Sequence, residues 1–94
     1  MKVNVKAVLS SPDYKVITLS GDQGDTLEKH KVSEPGLLLV KRGSVTYTEG
    51  ERHVVVSEGE AHSIPAEVFH EVRCNEVAEV FVVMSRGSKM KFER

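Results

Sequence analysis

The stretch Gly59–His70, GEAHSIPAEVFH, decides how the rest of this chain is read. Five residues separate its glycine from Pro65, and four separate that proline from His70. Glycine accepts the positive φ of a sharp turn, so Gly59 marks a strand start. Proline lacks an N–H and leaves a ladder incomplete, so Pro65 marks the strand end. Between them His62 shares a strand face with Ile64. Beyond Pro65 a short loop sets the approach of His70, which opens the next run, HEVRC.

Working outward, nearly every other segment has the same two-residue period. KVNVKAVL places Val3, Val5 and Ala7 on one face, and YKVITLS, TLEKHKV, LLLVKR, SVTYT and RHVVVS follow. After the opening stretch come HEVRC and AEVFVVMS. Valine, isoleucine, threonine and tyrosine suit a pleated, half-buried surface. Turn signals such as SSPD, SGDQGD, SEPG and RGS separate the runs. No window carries an apolar stripe at helical spacing. The pattern predicts an all-β chain of roughly eight to ten short strands, a sandwich or small barrel. RGSKMKFER reads as a polar tail or an edge strand.

Composition narrows the function classes. The 94 residues predict a single domain, 1–94, and 39% hydrophobic with 29% charged residues suits a globular protein. Thirteen Lys+Arg against 14 Asp+Glu leave a net charge of −1, which supplies no basic field for nucleic acid. No apolar run approaches the roughly 20 residues of a membrane span, and the N-terminal alternation lacks the apolar core of a signal peptide. A lone cysteine, Cys74, permits no internal disulfide and points to the cytoplasm. Few aromatic residues are available for the core, so its margin is thin and its sheet edges need cover. A homodimer is the expected assembly.

Two segments together resemble the paired motifs of the cupin superfamily. In the first, about 24–43, Gly24 is followed by DTLEK, His30, Lys31, Val32, SEP, Gly36, LLLVKR and Gly43. In the second, about 59–74, Gly59 is followed by EAHSI, Pro65, Ala66, Glu67, VF, His70, EVR and Cys74. Fifteen residues lie between Gly43 and Gly59, a short inter-motif segment. The resemblance implies a conical β-barrel, the double-stranded β-helix or jelly roll. It also implies a metal site of three histidines and a glutamate. His30 matches the first histidine and His70 the third, but Val32 stands at the second and Gly36 at the glutamate. Glu67 replaces the second motif's glycine, and Cys74 its final asparagine.

A degenerate metal site leaves three classes of function open. The first is a binding protein holding a small organic ligand among His30, Val32, Gly36, Leu38, Tyr47, His70 and Val72, with Val40 in the wall and no full metal centre. In it no cofactor is expected beyond a divalent transition metal held weakly by His30 and His70. The second is a metal-dependent oxygenase, isomerase or decarboxylase using His30, His70 and an unconventional third ligand, with Glu34 as a candidate displaced carboxylate completing a two-histidine, one-carboxylate set. On an unbroken strand Glu34 would lie about 13 Å from His30, so the SEPG turn would have to return it. The third is a dimeric β-module whose barrel serves as an interaction surface. Tyr47 paired with a histidine is a further acid–base possibility, which the resemblance to cupin sugar epimerases raises.

His62 and His53 are expected to be structural, with His62 outside the site of His70. Cys74 lies about 13 Å along its strand from His70, too far for activation, and is expected to be a buried, inert thiol. Val32→His with Gly36→Glu is expected to restore a four-ligand set, its cost being a backbone angle at Gly36 that glutamate dislikes.

Overall fold

The computed structural model describes residues 1–93. Its strands are β1 (Asn4–Ser10), β2 (Tyr14–Gly21), β3 (Thr26–Val32), β4 (Gly36–Arg42), β5 (Ser44–Glu49), β6 (Arg52–Ser57), β7 (Ala61–Ile64), β8 (His70–Cys74), β9 (Ala78–Ser85) and β10 (Met90–Phe92). None of the described residues is helical, and no helix long and apolar enough to cross a membrane occurs among them. The strands form two five-stranded sheets, ordered β1-β2-β9-β4-β7 and β10-β3-β8-β5-β6. All pairings between these strands are antiparallel. The fold is the all-β jelly roll that the paired motifs imply.

Period-two patterning builds the core directly. On β9, Ala78, Val80, Val82 and Met84 are buried while the residues between them are half-exposed. Leu38 and Val40 on β4 and Val45 on β5 are fully buried. Tyr47, the largest fully buried side chain, projects from β5 with Val45, in the sheet that does not contain β4 and β9. The chain passes between sheets at Gly43, whose φ is 76°. A Cβ there would fall on the Val77 carbonyl oxygen, so only glycine fits. Gly59, at φ 81°, turns β6 into β7, and its amide donates to the Val40 carbonyl at 2.7 Å. The positive angle expected at Gly59 is present, and Gly43 adopts one as well.

β1 departs from expectation. Val3 is buried, but Val5 and Ala7, read as its companions on one face, are exposed with the whole of β1. β1 is a sheet edge paired only with β2, and a bulge between Ala7 and Leu9 breaks its register. At the other terminus, the basic tail supplies the edge strand β10. It pairs with β3 at Met90↔Val32, Lys91↔Lys31 and Phe92↔His30.

Candidate functional site

His30 and His70 are cross-strand partners in the β3–β8 ladder, so their side chains leave the sheet side by side. Their rings meet edge to face with centroids 4.3 Å apart, and each residue is 2% exposed. The β3 register shifts between Leu27 and His30, so neither strand could reach this pairing by simple continuation. Phe92 packs on His30 at 5.4 Å from the other side of β3. Tyr47 stacks on His70 at 5.2 Å.

The hydrogen bonds identify the tautomers. His30 Nδ1 lies 2.7 Å from the Glu28 carbonyl oxygen, and His70 Nδ1 lies 3.2 Å from that of Val68. A carbonyl only accepts, so both Nδ1 atoms carry hydrogen and both neutral rings keep Nε2 as an acceptor. Burial holds the His30 pKa below the ordinary 6.5, with the Glu28 bond opposing it. Burial also lowers His70, assisted by the neighbouring His30 and opposed by the Val68 bond and the Glu49 charge. Two neutral imidazoles with Nε2 as their acceptor atom therefore lie side by side in the barrel at neutral pH, and no buried side-chain nitrogen or oxygen among the described residues lacks a hydrogen-bond partner.

Tyr47 is a poor base partner. Burial, the charge of Glu49 and a 3.4 Å hydrogen bond to its carboxylate push the phenol far above its ordinary pKa. The phenol remains protonated and donates to Glu49.

His62 does not line the cavity beside His30 and His70, but its ring lies 4.4 Å from that of Tyr47, which stacks on His70. His62 pairs with Leu38 across β4–β7 and shares its face with buried Ile64, so the period that buries Ile64 also turns His62 inward. His53 is exposed, bonded to Thr48 Oγ1 at 3.0 Å.

The interior beside the histidine pair is closely filled. His30, His70, Val32, Leu38, Val72 and Met90 are among the residues around a cavity of about 10 Å³, roughly one water-sized sphere. Gly36 and Tyr47 do not line it. The largest concavity, about 380 Å³, lies on the opposite face of the same sheet among Thr46, Thr48, Glu71 and Arg73. It is the polar outer surface usual for an antiparallel sheet.

The donor set does not fit a four-ligand metal centre. Val32 brings no donor, and no group of three His, Cys, Asp or Glu residues that could hold a metal occurs among the described residues. Glu34, the candidate third ligand, instead accepts a 3.2 Å hydrogen bond from Ser85 Oγ. At Gly36 the obstacle to glutamate is space and not a backbone angle. Its φ is not in the positive range, but a Cβ would lie 2.9 Å from the Val83 carbonyl oxygen. Cys74 is buried, and burial with the charges of Asp25 and Asp22 raises its pKa, which suits an inert thiol.

Sequence patterning could have placed His62 inward, because its two-residue offset from Ile64 was visible. Phe92 and Met90 carried no such signal. Their role depends on β10 returning to the edge of β3, a contact across more than fifty residues of chain.

A family model described as "Cupin domain" matches residues 15–84. No curated protein matches the sequence. Among solved structures, a cupin-like protein from Thermotoga maritima is similar with a TM-score of 0.87 at 19% identity, covering 97% of this chain and 75% of that one. An uncharacterized conserved protein with a double-stranded β-helix domain from Klebsiella pneumoniae gives 0.83 at 14% identity, covering 98% and 86%. A cupin superfamily protein from Desulfitobacterium hafniense gives 0.81 at 14% identity, covering 89% and 77%. At these identities the likeness is one of fold.

Proposed function

Because this chain belongs to the cupin family yet keeps only two of the expected metal ligands, we propose that it binds a small organic molecule in its barrel without a full metal centre. One observation carries the proposal: two neutral histidines, each 2% exposed, are buried side by side where aliphatic residues would fill the space. Burying polar rings costs stability unless their atoms are satisfied. The backbone carbonyls satisfy Nδ1, and each Nε2 is the atom that can accept from a ligand hydroxyl, amide or ammonium group. Leu38, Val32 and Val72 supply apolar walls. Since the room beside the pair is about 10 Å³, ligand entry requires side chains to move, and Met90 on the three-residue edge strand β10 is the least anchored of them.

Native mass spectrometry of freshly purified protein tests this reading. The parent is expected to retain a small molecule that a His30→Leu, His70→Leu double variant does not. If both are empty, and a library of small polar organics shifts neither Nε2 resonance, the pair is core filling and the proposal fails.

A metal-dependent enzyme is the second reading, favoured by one observation. An Nδ1–H held by a backbone carbonyl, with Nε2 as the acceptor, is how metal-binding histidines are oriented. Stoichiometric metal in the purified protein would put this reading first. We further propose a cytoplasmic homodimer formed through β1. That strand has one sheet neighbour and exposes Val5, Val8 and Leu9 by about half each, 52%, 54% and 49%. A second copy would complete the edge, and sedimentation as a monomer at high concentration would refute it.

A further inference from the structure

A second concavity, about 140 Å³, lies against the other side of Val32. Lys31, Lys89, Lys91, Ser33 and Glu67 line it with that valine. Lys31 and Lys91 are directly opposed across β3 and β10, an arrangement that destabilises a sheet when the charges are alike. Lys31 has some relief, since its Nζ lies 3.1 Å from Glu67 Oε1. Lys89 and Lys91 have no carboxylate within ion-pair distance among the described residues, whereas Lys2, Lys29 and Lys41 each do. Lys6 is the only other lysine with neither an ion pair nor a side-chain hydrogen bond there, and it lies on β1. Three cations and one carboxylate thus surround one small space.

The backbone holds this arrangement in place. Ser33 and Lys89 are tied twice, Ser33 N–H to the Lys89 carbonyl and Lys89 N–H to Ser33 Oγ, each at 2.9 Å. Glu67 N–H donates to the Val32 carbonyl at 2.8 Å, with Glu67 at φ 61°, a left-handed conformation that costs a glutamate energy. Repulsive charge and backbone strain kept together at one lip are signs of a ligand that offsets them.

We propose that this lysine pocket binds the anionic group, phosphate or carboxylate, of the small molecule. Lys31 and Lys91 alternate with inward His30, Val32 and Met90 and so stand on the outer face of the sheet, where the pocket meets the histidine cavity only through Val32. That the anion belongs to the ligand of the barrel rests on the function proposed above; the anion site does not. The volume suits a single anionic group, and a net charge of −1 gives no wider field for a nucleic acid.

The test is titration with inorganic phosphate and, separately, acetate at constant ionic strength, with chloride as the reference. Amide resonances of Ser33, Lys89 and Lys91 are followed by NMR. Saturable shifts are expected with at least one anion, and the stronger responder tells phosphate from carboxylate. Lys89→Gln with Lys91→Gln should weaken binding about tenfold or more, while Lys6→Gln should leave it unchanged. Glu67→Gln should tighten it by removing the one competing carboxylate. Absence of saturation with both anions overturns the proposal, as does equal weakening by Lys6→Gln or unchanged binding in the Lys89, Lys91 double variant. Shifts at the histidine Nε2 atoms with small organics, without an anion response, would sink this proposal alone.

Discussion

The two sheets contribute different interiors to one barrel. The β1-β2-β9-β4-β7 sheet presents Leu19, Leu38, Val40, Val80, Val82 and Met84, all buried and aliphatic or thioether. The β10-β3-β8-β5-β6 sheet presents His30, His70 and Tyr47, whose rings touch one another in series. His62 is the exception, reaching Tyr47 from the edge strand β7 of the first sheet. The first wall gains stability from every methyl it buries. The second gives some of that up to hold polar rings dry. It still buries Leu27, Val32, Val45, Val56 and Val72, so the difference between the sheets is the polar rings added to one of them.

Truncation should show the difference most strongly. Leu38, fully buried on the aliphatic wall, is expected to cost about 2–5 kcal/mol as Leu38→Ala. Replacing His30 and His70 together with leucine should cost far less, under about 1.5 kcal/mol, because two apolar groups replace two buried polar ones at once. Urea unfolding of both variants measures the contrast. Equal losses would mean the histidines are as much a part of the packing as Leu38, and the two walls would no longer differ.

Protons probe the ring wall next. Both histidines have pKa values lowered by burial, so below the ordinary 6.5 the unfolded chain binds more protons than the folded one. Their contribution is fully present above about pH 6.5 and is lost as pH falls from there towards their folded values. The slope should reach at most about 1.4 kcal/mol per pH unit for each ring. The leucine double variant should lose this part of the pH dependence, and Leu38→Ala should keep it. Melting curves across the acid range decide the matter.

Much of this difference was legible in the chain. The alternation that buries β9 lies in local pattern, and the paired motifs implied that His30 and His70 share the barrel interior, but the register shift in β3 that sets them directly opposite each other was not legible. The exposure of β1 was not legible, because an edge strand carries the same alternation as a covered one. Nor was the closeness of the interior, since the cavity volume depends on Met90 arriving from a strand that pairs with β3 over only three residues. The histidine–tyrosine contacts fell between these cases. The alternation puts His62 on the face of Ile64, but its contact with Tyr47 was not legible because that ring comes from the facing sheet.

The vacated ligand positions offer a way to sharpen the contrast by adding chemistry to the ring wall. Val32 shares the inward face of β3 with His30, so Val32→His should form a three-histidine set of the kind open zinc sites use. Metal occupancy measured by elemental analysis should rise to near one with zinc or nickel. Binding should raise stability by about 2.7 kcal/mol at a hundredfold excess over Kd. Adding Gly36→Glu should reverse the gain, because the new Cβ meets the Val83 carbonyl at 2.9 Å in the aliphatic sheet. A double variant more stable and more fully loaded than the single would show that this wall yields more readily than its packing implies.

The smallest expected effect marks where the ring wall ends. Along β8 the inward residues are His70, Val72 and Cys74, so the strand carries a polar ring at one end and a thiol at the other. Cys74 lies in register with Val45, and its raised pKa keeps it neutral and unreactive. It should behave like the aliphatic wall, and Cys74→Ala should cost only about 1 kcal/mol, the typical loss for a small buried truncation. The acid-range slope belongs to the histidines and should not change. In the native protein the thiol should react with a disulfide reagent only as fast as the barrel opens, far more slowly than in denaturant. Rapid reaction at neutral pH would place Cys74 with the chemical residues and extend the functional face along the whole of β8.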